Sequence, residues 1–328
     1  MSTVPIIDFG PFLTGSIGDR KRTASEVDEA LRTIGCFNLR NHGIPQSQVD
    51  ECFSWSRQLF SLSQHEKETL SPKPQSFEQG YFGMESERVR GRPSVKENFD
   101  FGNLKGKPLG PWPDQLQGFR GFATDFHQNC SRLMNQLLEC MSIALGPKES
   151  LGPYHTGSMF TSSLIHYPAV SARLIQSGEV VRSPAHSDFG TLTLLFQRDV
   201  GGLQVADMSS TDKLSSAAVE RTGTFLDVEP NPETILINVG YLLMRWTNGR
   251  WKNSVHKVVG PPSSRTSTET VGDQELIPER YSIAFFGFPD AETNVESFES
   301  CYSDQNPKRW SPLNAGTYLR KKREDVYS

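Results

Sequence analysis

Pro184 to Phe196 reads PAHSDFGTLTLLF and sets a histidine and an aspartate two positions apart at the head of a strongly apolar run. Side chains of a strand alternate between faces, so His186 and Asp188 share a face while Ser187 points away. A second imidazole on the same point would complete the set of two histidines and one carboxylate that holds non-haem Fe(II) and leaves the opposite positions open. His256, in NSVHKVV, supplies it roughly 70 residues downstream on another β-rich segment, a separation foreign to the short spacings of zinc sites. Taken alone, the pair fits equally well a histidine hydrogen-bonded at a strand end.

Further along, RYSIAFFGF places Arg280 and Ser282 in the same two-residue relation. Ile283, Ala284, Phe285 and Phe286 belong in a core, so an arginine beside them faces inward and needs an anion. Its planar fork matches a carboxylate with two parallel hydrogen bonds, and a neighbouring hydroxyl adds a third. A structural ion pair with an internal acid is the other reading.

Together these residues carry a resemblance. His186-x-Asp188, His256 and Arg280-x-Ser282, with HYP at His166 to Pro168, resemble the iron(II)- and 2-oxoglutarate-dependent dioxygenases of the isopenicillin N synthase-like family. VPIIDFGPF at Val4 to Phe12, GCFNLRNHGIP at Gly35 to Pro45, GYFG from Gly80, KENFDFG at Lys96 to Gly102 and PWP at Pro111 to Pro113 are similar to that family's N-terminal region. Several motifs in order are far more specific than any one. The chain departs from the family at Gly240-Tyr241, where many relatives read Gly-Asp, and at Ile165, where some plant relatives carry an asparagine that supports cosubstrate binding.

The resemblance implies a mainly β fold with flanking helices, a double-stranded β-helix or jelly roll with the metal inside its open end. It implies Fe(II) on His186, Asp188 and His256. It also implies 2-oxoglutarate held by Arg280, Ser282 and the Tyr167 hydroxyl, and O2 as oxidant. Oxidative decarboxylation would release succinate and carbon dioxide while a C–H bond of a small molecule, of the kind met in specialised metabolism, is hydroxylated, desaturated or closed into a ring. Two alternatives stay open: an iron oxidase of the same fold that dispenses with 2-oxoglutarate, and a non-catalytic binding module.

Bulk properties fit this reading. With 328 residues and 36.7 kDa the chain can bury a sizeable core. A net charge of -4 and a pI near 6.0 argue against a nucleic-acid surface. Cys36, Cys52, Cys130, Cys140 and Cys301 are scattered and form no CxxC pair, so they read as buried thiols of a reducing compartment. No basic start precedes an apolar core, and no apolar run approaches membrane length. A cytoplasmic protein, monomeric or weakly self-associating, is expected.

Three regions are expected: a helical and mixed N-terminal part over 1–155, the jelly roll over 156–290, and a helical extension over 291–328. Helices are expected at Ser25 to Ile34, Gln46 to Leu62 and Phe122 to Leu145, where apolar residues recur at three and four. Strands are expected at Met159 to Tyr167, Val180 to Ser183, Gly190 to Phe196, Leu203 to Ala206, Thr224 to Val228, Thr234 to Val239, Tyr241 to Met244, Ser254 to Val259 and Tyr281 to Gly287. Leu70 to Pro113, Asp207 to Thr222 and Pro261 to Pro278 read as loops. The first of these forms the mouth of the active site in the resembling family. Arg90, Arg92 and Phe101 are therefore candidates for touching the substrate, and the basic cluster from Arg88 to Lys96 would suit a carboxylate-bearing one. A solvated basic loop is the plainer reading of that cluster. His42, Arg245 and Trp246 are read as structural.

Overall fold

The computed structural model describes residues 3–72, 79–102, 111–210, 215–261, 269–271 and 274–327. Its two principal sheets are built, in chain order, from β1 (Ile6–Asp8), β2 (Cys36–Arg40), β3 (Gly80–Phe82), β4 (Glu97–Gly102), β5 (Thr161–Tyr167), β6 (Ser183–His186), β7 (Leu192–Gln197), β8 (Leu203–Ala206), β9 (Phe225–Asp227), β10 (Ile235–Val239), β11 (His256–Val258) and β12 (Arg280–Gly287). The larger sheet has the order β1-β2-β10-β7-β12-β5-β4-β3 and the smaller β9-β8-β11-β6. Apart from the parallel β1–β2 pair, neighbours in both are antiparallel.

Period-two alternation decides what each face does. On one face of the larger sheet Ile165, Tyr167, Leu195, Leu236 and Ala284 meet Leu203, Val205 and Val258 of the smaller sheet, which is the interior of the roll. On the other face Leu164, Leu194, Phe196, Ile237 and Phe285 pack on helix α3, described next.

The helices that bear on the core and the site are α1 (Ile17–Thr33), α2 (Gln46–Phe60), α3 (Phe119–Leu145), α4 (Ser216–Thr222), α5 (Tyr241–Trp246) and α6 (Ala315–Tyr327). Apolar spacing makes α3 the central buttress, with Phe126, Leu133, Leu137 and Met141 fully buried against the sheet. Each such side chain contributes about 1.5–3 kcal/mol by leaving water.

Several boundaries differ from expectation for identifiable reasons. Helix α1 begins eight positions before the expected start, because Ser16 and Asp19 form a reciprocal capping box ahead of a charged first turn that carries no apolar periodicity. The segment expected as a strand from Tyr241 is helix α5: a short apolar run buried all round has no period to read. The strand expected at Val180 to Ser183 lies at Ser183–His186 and so carries the histidine itself. Of the stretches expected as loops, the first contains β3 and β4, the second contains α4, and the third contains the short strands Glu269–Val271 and Gln274–Ile277. Parts of all three lie outside the described residues. Strands β1 to β4, all from the N-terminal region, extend the larger sheet at both edges.

All five cysteines are buried and free. Among the described residues no helix is long and apolar enough to cross a membrane.

Two buried histidines stay neutral in this fold. His155 donates from Nδ1 to the Leu151 carbonyl at 2.8 Å and accepts at Nε2 from the Thr191 hydroxyl at 2.7 Å, while His127 bonds Ser162 through Nδ1 at 2.9 Å. Burial pushes both down to about 4. An unfolded chain takes up those protons near pH 6.5, but the folded one only near 4, so stability falls as pH drops through that window and is unaffected above it. Unfolding titrations between pH 7 and 4 should show the loss, at most about 3 kcal/mol per histidine. Substitution of His127 by Gln should remove part of it.

Candidate active site

The site gathers on the smaller sheet and the turn that follows β6. His186 ends β6 directly opposite His256 at the start of β11, and the two ring centroids are 4.3 Å apart. Both rings are oriented by main-chain oxygens: Nδ1 of His186 lies 2.8 Å from the Pro184 carbonyl and Nδ1 of His256 lies 3.2 Å from that of Ser254. A carbonyl only accepts, so each Nδ1 carries the hydrogen and each Nε2 keeps a free lone pair. Burial, with His256 beside it, holds His186 down at about 4, so the ring is neutral at ordinary pH.

Asp188 lies beyond the strand, in the turn, and reaches the same point because the chain folds back. Its Oδ2 accepts from the Thr193 hydroxyl at 2.5 Å, and its Oδ1 lies 3.9 Å from His256 Nε2. One ligand atom from each of the three residues lies within 4.8 Å of the others. Two imidazoles and a carboxylate suit a divalent ion of intermediate softness such as Fe(II).

The turn is braced from behind by α5. Amides of Tyr241 and Leu242 donate to the carbonyls of Asp188 and Gly190 at 2.8 and 3.0 Å, and Gly240 lies directly against the Gly190 main chain. A β-carbon at Gly240 would collide with the Gly190 carbonyl. Gly240→Ala is therefore expected to displace the Asp188 turn and weaken iron binding by about 10–100-fold, the effect of disturbing a ligand's support. Metal titration of the variant, with circular dichroism confirming its fold, checks this.

Arg280 and Ser282 face the interior from β12, opposite Tyr167 of β5 and Gln197 of β7. Arg280 is 1% exposed. Its Nη1 donates to Ser282 Oγ at 3.2 Å and its Nη2 to Gln197 Oε1 at 3.0 Å, with the guanidinium 5.0 Å from the Tyr167 ring centre. Among the described residues no carboxylate pairs with it, and Nε has no partner. A second buried arginine stands near. Arg182 donates to the carbonyls of Pro168 and Pro278, and among the described residues its Nε and Nη1 have no partner. Burial, then the charge of Arg280, pulls it down to about 10.

A cavity of about 600 Å3 opens on His186 and Asp188. Ile165, Phe189, Phe286 and Phe288 form apolar walls, and Tyr318, Lys322 and Arg323 of α6 lie over it. Arg90 lines it too, but its guanidinium is committed to Glu220 and to Ser216 Oγ at 2.9 Å. Arg92 does not reach the lining and pairs with the same Glu220 at 3.1 Å. Neither is a free anion receptor, because α4 supplies a carboxylate from 130 residues away in sequence. Phe101 lies on the far face of β4, among Trp112, Phe119 and His127: the alternation that points Asn98 and Asp100 into the cavity sends Phe99 and Phe101 out of it.

Sequence reasoning missed Thr193, Gln197 and Arg182. The two-residue alternation on β7 was legible and would have put Thr193 and Gln197 inside; nothing in VRSPAHSD announced Arg182.

Comparison with known proteins agrees with this geometry. Family models described as non-haem dioxygenase in morphine synthesis N-terminal and as 2OG-Fe(II) oxygenase superfamily match residues 4–118 and 159–289. The chain is 34% identical to the 2-oxoglutarate-dependent dioxygenase frbA of Dothideomycetidae sp., over 95% of this chain and 94% of that protein. It is 32% identical to the proline hydroxylase buaE of Petromyces alliaceus, over 90% of each. A full-length Neurospora crassa protein, solved in complex with alpha-KG and thymine, superposes with a TM-score of 0.83 at 27% identity, over 98% of this chain and 96% of that one. These family matches, and an identity of 34% to a named 2-oxoglutarate-dependent dioxygenase over nearly its whole length, show that the chain belongs to the 2-oxoglutarate- and Fe(II)-dependent dioxygenases.

Proposed function

We propose that His186, Asp188 and His256 hold Fe(II), and that Arg280, with Ser282 and Tyr167, grips the far carboxylate of 2-oxoglutarate. A small molecule in the adjoining cavity then loses a C–H bond while succinate and carbon dioxide are released. The observation that carries the cosubstrate assignment is Arg280 itself: a guanidinium buried to 1% exposure whose described partners are all neutral. Such a charge is costly unless an anion joins it, and a dicarboxylate supplies one.

When bound, the iron and cosubstrate would reduce O2 to an oxidant strong enough to take hydrogen from carbon, one oxygen atom ending in succinate. The protein's own part is positioning and shielding. Backbone carbonyls fix both imidazole tautomers, Thr193 fixes the rotation of Asp188, and α5 fixes its main chain. Gln197 and Ser282 hold the arginine fork in one plane. Ile165, which stands where some plant relatives carry an asparagine, and Phe286 keep water from the reacting centre. The thymine complex of the Neurospora protein supports a substrate of small size. A carboxylate-bearing substrate loses the receptor expected for it, since Arg90 and Arg92 both engage Glu220.

The reading is tested by oxygen uptake in the presence of Fe(II), with and without 2-oxoglutarate. Succinate formed in step with substrate oxidation is expected. Substrate oxidation that proceeds undiminished without 2-oxoglutarate would identify an oxidase instead.

A further inference from the structure

The cavity floor next to the metal site carries a carboxylate that the reaction does not use. Asp100 points inward from β4 and lines the same cavity as His186 and Asp188. Two neutral donors hold it, Asn98 Nδ2 at 2.8 Å and the Ser163 hydroxyl at 2.6 Å, and both land on Oδ1. Among the described residues Oδ2 receives no hydrogen bond, and no ion pair joins Asp100 to any of them.

Two of the cations that line the cavity have carboxylates of their own. Lys96, four positions earlier on the same face, pairs at 2.9 Å with Glu87, and both are nearly enclosed. Arg90 is taken by Glu220. Arg323 lies over the Phe288 ring, 5.8 Å from its centre, and its charge acts on Asp100. Burial leaves the carboxyl of Asp100 above its ordinary value, with the Ser163 and Asn98 hydrogen bonds and the charges of Arg323 and Lys96 acting the other way; an ammonium group brought to Oδ2 would add to the pull toward the ionised form. An ionised carboxylate only accepts, so Oδ2 welcomes an N–H donor and repels a ligand oxygen that carries lone pairs.

We infer that Asp100 Oδ2 is the receptor for a protonated amine on the substrate, with Asn98 and Ser163 fixing its orientation. The inference rests on the reading of this cavity as the place where substrate meets the iron. It narrows the substrate class to small amines whose apolar part lies against Phe189, Phe286 and Phe288 while the ammonium group sits on the β4 floor.

Calorimetric titration of the full chain with L-proline, L-phenylalanine and benzylamine, each against its N-acetyl counterpart, tests it. At least one free amine should bind about 10-fold or more tighter than its acetylated form, and Asp100→Asn should reduce that preference to within about 3-fold. Asn keeps the size and one acceptor, so folding and the Ser163 contact survive, and Ser163→Ala should weaken the amine preference less. Equal binding of amine and amide, an unchanged preference in Asp100→Asn, or no binding by any of the three amines would overturn the inference. The visible absorption that forms when Fe(II) and 2-oxoglutarate are added under argon is followed separately. If the unaltered protein never develops it, the iron and cosubstrate reading fails, while the calorimetry still reports on Asp100.

Discussion

Arg280→Met is expected to abolish tight binding of 2-oxoglutarate while leaving the cosubstrate-free protein as stable as before, or more so. The two effects have opposite signs because the same charge is a cost in one state and a partner in the other. In the absence of cosubstrate, Arg280 is buried with Ser282 and Gln197 as its hydrogen-bond partners among the described residues, the Tyr167 ring beside it and the like charge of Arg182 near. Replacing such an ion by an apolar side chain of similar length removes its desolvation cost. In the complex, truncating one partner of a buried, hydrogen-bonded charge pair costs about 2–5 kcal/mol, a loss of roughly 30- to several thousand-fold in affinity. Thermal unfolding with and without 2-oxoglutarate separates them: the unaltered protein gains stability from the ligand, and the variant does not. A variant that melts far lower without ligand, yet still gains from it, would make Arg280 a structural residue.

His256→Ala carries the other large effect. Even a residue that only supports a metal ligand contributes about 10–100-fold to metal affinity, so removing one of three ligands should cost at least about 100-fold, and turnover with it. The fold should hold, since His256 is one short β11 side chain whose main-chain pairing with β6 and β8 is untouched. Iron content after gel filtration, set against circular dichroism, reads the two apart. Asp188→Asn should lose iron more mildly, since the amide keeps one oxygen that can face the ion while its NH2 donates to the Thr193 hydroxyl.

The ligand set and the clamp were legible in the chain because both use the two-residue repeat of a strand, His186 with Asp188 and Arg280 with Ser282. The route to convergence was not wholly legible: Asp188 sits in a turn, and what holds it there is an α5 helix whose LLMRW core reads as well as a strand. Contacts that span sequence were invisible. Glu220 is 130 positions from Arg90, and without it the basic cluster looks like an anion receptor. Phe101 is misplaced for a simpler reason, since the stretch holding it reads as loop and a loop has no parity. Once β4 is a strand, Asp100 and not Phe101 must face the cavity.

The most direct test is a crystal structure of the protein grown under argon with Fe(II) and 2-oxoglutarate. The account predicts one iron bonded to Nε2 of His186, Nε2 of His256 and a carboxylate oxygen of Asp188, with the far carboxylate of the cosubstrate against the guanidinium of Arg280. An iron held by other side chains, or a cosubstrate whose far end lies away from Arg280, would contradict it.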